Sequence, residues 1–346
     1  MAGVAQIGDQ GFAGKRFSHR GIYIRCRMKI TIVTPAGKGE RSGNRATAVR
    51  WARVLRKLGH RVEIITEYER PQADLLVAIH AWRSAGSVER YRADMPDGRL
   101  IVCLAGTDIY RFQHSHPEET LRTMARADRL VCLHGLVGRS IPAAYRRKLA
   151  VIRQSAPPLR RAAPATRHFD VLVIGHLRDE KDPFRAAHAA RALSGASRIR
   201  ILQMGKALDP AFAAAAATEM RENRRYRWLG EIPRHIVRQR MTRARAMVIS
   251  SRMEGGANVV SEAVMAGLPV LASRIDGNVG LLGEDYPGYF PLEDTEALTG
   301  LLERIEREPA FLAALDRHIA KLVPAFTEDR EIAAWRELLV QITDAA

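Results

Sequence analysis

The amino-acid sequence predicts an α/β protein of two Rossmann-like domains, each built on a parallel sheet, facing one another across a cleft. Three observations carry this. From Met28 onward, short apolar runs of strand length alternate with segments of helical period, as in successive βαβ units. The runs are continuously apolar, as in DLLVAIH (74–80) and FDVLVIGHL (169–177), the pattern of parallel strands covered on both faces. The alternation breaks once, at SAPPLRRAAPATRHF (155–169), which is rich in Pro and Ala without an apolar period, and then restarts. An eight-unit β/α barrel would need an uninterrupted array.

In the first half, KITIVT (29–34) reads as a strand, followed by a Gly-rich loop and a helix from Ser42 to Leu58. That helix keeps Ala48, Val49, Ala52, Leu55 and Leu58 near one face, and Gly59 stops it. Further strands are RVEIIT (61–66), DLLVAIH, RLIVCLAG (99–106), RLVCLHG (129–135) and LAVIRQS (149–155). The second half supplies FDVLVIGHL, RIRILQMG (198–205), YRWLG (226–230), AMVISS (246–251), LPVLASR (268–274) and YFPL (289–292). The expected division is an N-terminal domain over 28–155, a linker over 156–168, a second domain over 169–325 and a C-terminal helix over 326–346. Residues 1–27 lack the apolar core of a secretory signal and read as a disordered extension.

The chain of 346 residues suits two domains of about 150 residues. Its 55 Lys and Arg against 38 Asp and Glu give a formal charge of +17, so its surface attracts anions. The basic residues are scattered, with no long block, and only 6% of residues are aromatic, which weighs against a nucleic-acid binder and for small anionic substrates. Cys26, Cys103 and Cys132 are too few and too dispersed for a disulfide framework or a zinc site. Cys103 and Cys132, inside the apolar runs LIVCLAG and RLVCLHG, fit small buried hydrophobes, and this usage points to a reducing, cytoplasmic compartment. No run approaches the ~20 apolar residues that cross a bilayer. A membrane partner is therefore not expected.

Ligands of such domains bind at the carboxyl ends of strands, and the strongest local signal lies there, in Ser250–Arg274. A strand ends at Ser251, Gly255 and Gly256 follow, and a helix begins near Asn258 and ends at Ala266 and Gly267. At that helix start the N–H groups of Ala257, Asn258 and Val259 lack intrahelical partners and carry the positive end of the dipole, so they can hold a diphosphate. The two glycines would let a phosphate approach the backbone. Glu254 before the loop and Glu262 one turn into the helix can flank one ligand and accept hydrogen bonds from its hydroxyls; a capped helix with an exposed Glu is the plainer alternative.

Glu254-x7-Glu262, with the Gly loop between and Ala-Gly-Leu-Pro-Val after, resembles the signature of retaining glycosyltransferases of the GT-B fold, family four. The resemblance extends over most of 28–346. It implies that Glu254 contacts the donor sugar and Glu262 the nucleotide ribose. GHLRDEKD (175–182), including Gly175, looks like the family's Gly-Arg-Leu-x-x-x-Lys-Gly loop. Lys181 falls on the family lysine, a partner for the donor phosphates. His176 stands at the family arginine, so Arg178 or His176 is expected to take over that contact. LAGTD (104–108), with Thr107 and Asp108, resembles the family's His-Gly-Thr-Asp element, with Ala105 in place of the histidine. His80 and His134 are candidate replacements. The family fold also implies that the C-terminal segment, carrying Trp335, crosses back to the first domain.

The N-terminal half chooses the acceptor in this fold. Gly43 and Asn44 open a helix whose first turn carries Arg45 and Thr47, with Lys38 and Arg41 nearby, another anion-friendly helix start. His80 and Arg83 follow a strand end, and Arg can grip phosphate oxygens in a bidentate way. A basic loop on a basic protein is the alternative. Together SGNRATAVRWARVLRKLGHRV (42–62), HAWRSAGSVERYR (80–92), GHLRDEKDPFRAA (175–187) and EGGANVVSEA (254–263) resemble a narrower group, the selenosugar synthases of selenoneine biosynthesis. These join UDP-N-acetylglucosamine or UDP-glucose to selenium delivered as selenophosphate. With Arg178, Lys181 and the helix end stabilising the departing UDP, and no Asp-x-Asp motif, neither a cofactor nor a divalent metal is expected. Rival readings are a UDP-sugar epimerase on the same fold, a noncatalytic anion or nucleic-acid binder, and a dehydrogenase. The last is disfavoured because the first loop lacks a Gly-x-Gly-x-x-Gly in register with its helix.

Overall fold

The computed structural model describes residues 27–40, 42–70 and 72–344, so the extension expected before the first strand and the Arg41 of the first loop lie outside the described residues, Arg27 excepted. The first domain runs β1 (Lys29–Val33), α1 (Gly43–Lys57), β2 (Arg61–Ile65), β3 (Leu75–Ile79), α2 (Ala85–Asp94), β4 (Arg99–Cys103), α3 (Gln113–Ser115), α4 (Pro117–Arg126), β5 (Arg129–Cys132) and β6 (Leu149–Val151). The second runs β7 (Phe169–Ile174), α5 (Arg185–Arg191), β8 (Ile199–Met204), α6 (Pro210–Glu222), β9 (Tyr226–Trp228), α7 (Arg234–Arg243), β10 (Ala246–Ile249) and α8 (Asn258–Met265). It continues through β11 (Val270–Ser273), α9 (Asp276–Leu282), β12 (Tyr289–Phe290), α10 (Thr295–Arg307) and α11 (Pro309–Leu322), and α12 (Glu328–Asp344) follows.

Each domain holds one six-stranded sheet, ordered β2-β1-β3-β4-β5-β6 and β12-β11-β10-β7-β8-β9, and the pairings are parallel. The strand order reverses direction between β1 and β3 in the first sheet and between β7 and β10 in the second. Crevices open at such points, outside the carboxyl ends of the strands. The loops after β1, β3, β7 and β10 are therefore the ones positioned to hold ligands. The continuous apolar runs have the expected cause: every residue of β3 and of β10 is buried.

The buried stripe of α1 is Thr47, Ala48, Arg50, Trp51, Ala52, Val54 and Leu55, whereas Val49, expected on that face, is 50% exposed. The stripe is rotated because Trp51, the largest fully buried side chain in the helix, sets the contact with α12. Trp51 meets Trp335 edge to face at 4.9 Å, a pair worth about 1 kcal/mol beyond its area burial. Trp335, Leu338, Leu339 and Ile342 join the core of the first domain, so the last helix straps back across it. Residues 156–168 form no helix or strand but are pinned to the second domain and its end: Ala156 N donates to Phe326 O (3.2 Å), Leu159 N to Met265 O (3.0 Å) and Ala162 N to Thr242 O (3.0 Å). Proline there removes regular structure without loosening the chain.

Candidate active site

The reversal point of the second sheet brings together the loop after β7 and the loop after β10. Ser250 Oγ donates to Asp182 O (2.8 Å) and Arg252 N to Glu180 O (2.9 Å), locking one loop onto the other. This places Lys181 Nζ 2.5 Å from Glu254 Oε1, and Ser251 Oγ donates to the same oxygen at 2.6 Å. Eight residues on, Glu262 takes both Nε (3.0 Å) and Nη2 of Arg234 on its own Oε1. Both carboxylates are only 8% exposed. In each, the protein's hydrogen bonds fall on one oxygen, and among the described residues none reaches the other. A carboxylate has about four acceptor positions, so both keep capacity for ligand hydroxyls. Between them α8 starts at Asn258 behind Ala257, which gives no side-chain cap; the first-turn N–H groups of Asn258 and Val259 are left for solvent or an anion.

The basic groups of the first loop are arranged unequally. Arg178 is 39% exposed in its side chain, with Nε 3.8 Å from Glu180 Oε2. His176 Nδ1 accepts from Lys206 N (3.2 Å), which ties that imidazole to the loop after β8. Arg178 is the freer of the two to swing toward a phosphate. Arg234 is a site residue that sequence reasoning missed. Its signal was only a basic helix start, and what makes it matter is the long-range pairing with Glu262.

On the acceptor side the structure corrects several assignments. Asp108 is fully buried and accepts from the N–H groups of Ala81, Ala105, Gly106 and Ile109, so it builds the loop instead of facing a ligand. A wide helical turn, not foreseen in the sequence, follows over Asp108–Phe112. Thr47 is buried, donating to Gly43 O (3.0 Å) and accepting from Gln154 Nε2 (2.6 Å). Its hydroxyl is engaged within the domain. His80 is 2% exposed, adopts φ of 77°, and has both ring nitrogens engaged, by Thr107 Oγ1 (2.8 Å) and Arg83 N (3.2 Å). Burial lowers its pKa against the opposing pull of Asp108, so it serves as a neutral organiser of the strand end. His134 is fully buried, with burial pushing it down to about 4, and its ring lies within hydrogen-bond reach of Tyr110 OH (3.3 Å). Gly43, Asn44 and Arg45 do form the start of α1, where Ser42 Oγ accepts from Arg45 N (3.3 Å). Arg83 and Thr107 remain at the rim, exposed and half-buried.

Two further features were not legible in the sequence. Trp82 stacks on Phe112 at 4.0 Å with ring planes 15° apart, and His116 packs against both, giving the rim above β3 and β4 an aromatic wall. The domains also touch backbone to backbone. A Cβ on Gly255 would lie 2.3 Å from the Ala105 carbonyl carbon, and one on Gly256 2.3 Å from Leu133 Cβ. The missing side chains of these glycines also admit the first domain in this arrangement.

The fold is GT-B, and the carboxylates, lysine and bare helix end gather where a ligand crevice belongs in it. Residues 159–321, nearly all of the second domain, match the family described as "Glycosyl transferases group 1". Among solved structures, the chain is similar to Anabaena HepE in complex with UDP-glucose (15% identity, 91% of this chain and 100% of that one, TM-score 0.74). It is likewise similar to sucrose-phosphate synthase from Thermosynechococcus elongatus (17% identity, 92% and 100%, TM-score 0.74) and to a glycosyltransferase from Rickettsia africae (13% identity, 92% and 100%, TM-score 0.70). Among the described residues no group of three or more His, Cys, Asp or Glu could hold a metal ion, and no helix is long and apolar enough to cross a membrane.

Proposed function

We propose that this chain is a glycosyltransferase that moves a sugar from UDP-N-acetylglucosamine or UDP-glucose to a small anionic acceptor, selenophosphate, forming a selenosugar for selenoneine biosynthesis in the cytoplasm. The observation that carries the donor half is Lys181 joined to Glu254 beside the uncapped start of α8, with Glu262 one turn further on. It is supported by the family match over the same residues and by the UDP and UDP-glucose complexes of the similar Anabaena protein.

As the anomeric C–O bond breaks, its electron pair leaves with UDP and the sugar becomes oxocarbenium-like. Lys181, Arg178 and the α8 amides supply positive charge to the diphosphate, and fixed donors of this kind are worth about 3–4 kcal/mol each to such a step. The free oxygens of Glu254 and Glu262 would accept from the sugar and the ribose. The selenium of selenophosphate, already anionic, forms the new bond to the anomeric carbon without a strong general base. The neutral, internally bonded His80 and His134 fit this, since neither is poised to take a proton. The exposed Arg83 at the rim offers the acceptor a bidentate cation. The cations also stand where a divalent metal would otherwise act, so turnover is expected to need none.

Purified protein incubated with each UDP-sugar and selenophosphate should release UDP and give a selenium-containing sugar by mass spectrometry, at the same rate with a chelator present. Transfer only to an alcohol or lipid acceptor would refute selenophosphate as acceptor. A UDP-sugar altered in the sugar alone, without acceptor, would point to an epimerase.

A further inference from the structure

Arg50 belongs to α1 in the first domain, yet its Nη1 donates to Asn258 Oδ1 of the second domain, 2.5 Å away. It is 8% exposed. The charges acting on it are those of Glu331 on α12, Glu262 on α8, Arg234 and Arg53. Glu331 is itself fixed, accepting from Trp51 Nε1 (3.0 Å), Ser155 N (2.9 Å) and Ser155 Oγ, and burial pushes its pKa up. Arg50 is thus bonded to the first residue of α8 and sits in the field of Glu331 on the returning C-terminal helix.

Charge alone would not select this contact. A buried guanidinium calls for a carboxylate, while the Asn258 amide is neutral and the start of α8 carries positive charge like that of the arginine itself. The bond instead fixes the residue from which α8 presents its unpaired amides, and it can form only while the two domains are together. We propose that Arg50 is a positioning residue of the donor site: through Asn258 it aligns the amide end of α8 and couples nucleotide-sugar binding to engagement of the two domains. This rests on the nucleotide-sugar reading of the site. No donor atom need touch Arg50. The coupling is reciprocal: whatever Arg50 adds to donor affinity, donor adds to domain engagement.

The test is a double-mutant cycle read as UDP affinity by calorimetry on the full chain, with ligand-free melting temperature followed in parallel. Arg50→Met and Asn258→Ala should each weaken UDP binding about tenfold, the scale of one charge-assisted hydrogen bond. The double variant should be little worse than either single one, because both remove the same link. Arg50→Lys keeps a cation against Glu331 but loses the planar fork. It should recover the melting temperature lost in Arg50→Met while leaving UDP binding weak, and it keeps the test open if Arg50→Met fails to fold. Wild-type UDP affinity in Arg50→Met or Arg50→Lys would overturn the proposal, as would a double variant weakened by the product of the single effects. Those results, with wild-type protein binding UDP normally, remove the role of Arg50 alone. Wild-type protein that binds no UDP removes the nucleotide-sugar reading as well.

Discussion

Lys181→Ala and Glu254→Ala are each expected to lower kcat by about 10²–10³-fold while circular dichroism stays that of the wild type. On the proposed reading Lys181, in the loop after β7 and braced by Glu254, faces the leaving diphosphate. Glu254 has two duties on that reading: Oε1 holds Lys181 and Ser251, and Oε2 would accept from the sugar. Removing either partner therefore disturbs both charge and placement at the reacting carbon. The fold should tolerate it, because the two loops stay tied by Ser250 to Asp182 and by Arg252 to Glu180. Steady-state kinetics check this, and turnover within threefold of wild type in both variants would place the chemistry elsewhere.

Glu262→Ala is expected to act on binding, raising KM for the UDP-sugar by about 10–100-fold with a smaller change in kcat. A buried carboxylate accepting ribose hydroxyls contributes about 1.5–3 kcal/mol per charge-assisted bond, and that contribution is the same in ground and transition states. The Arg234 released by the substitution is 62% exposed in its side chain, so water can take over its hydrogen bonds and stability should change little. A fall in kcat with KM unchanged would reassign Glu262 to the reacting end of the ligand.

The fold was legible because its two signals are local. Buried parallel strands write themselves as apolar runs, and the Pro- and Ala-rich stretch near residue 160 interrupts them at the domain junction. Strand order was not legible, yet it decides that the loops after β7 and β10 share one crevice. On the donor side, the residues singled out from the sequence, Lys181, Glu254, Asn258 and Glu262, lie on the loops after β7 and β10 and on the helix that follows, positions that the strand–loop–helix pattern marks locally, although their side-chain partners come from farther along the chain. The first domain was harder. Thr47 and Asp108 look like ligand groups in the sequence, but each also takes a partner from a loop far along the chain, Gln154 beyond β6 and the N–H of Ala81 beyond β3, that no spacing reveals. Arg234, Arg50 and the Trp82–Phe112 stack escaped for the same reason: each acts through a contact across elements or across domains.

On the proposed reading, a UDP moiety is gripped where α8 begins, opposite Lys181 and Glu254. Titration of the wild-type chain with UDP in a calorimeter, repeated as a thermal melt at saturating ligand, tests it most directly. Measurable heat with 1:1 stoichiometry and a raised melting temperature are the predicted results. No heat and an unchanged melting temperature at millimolar UDP would contradict it.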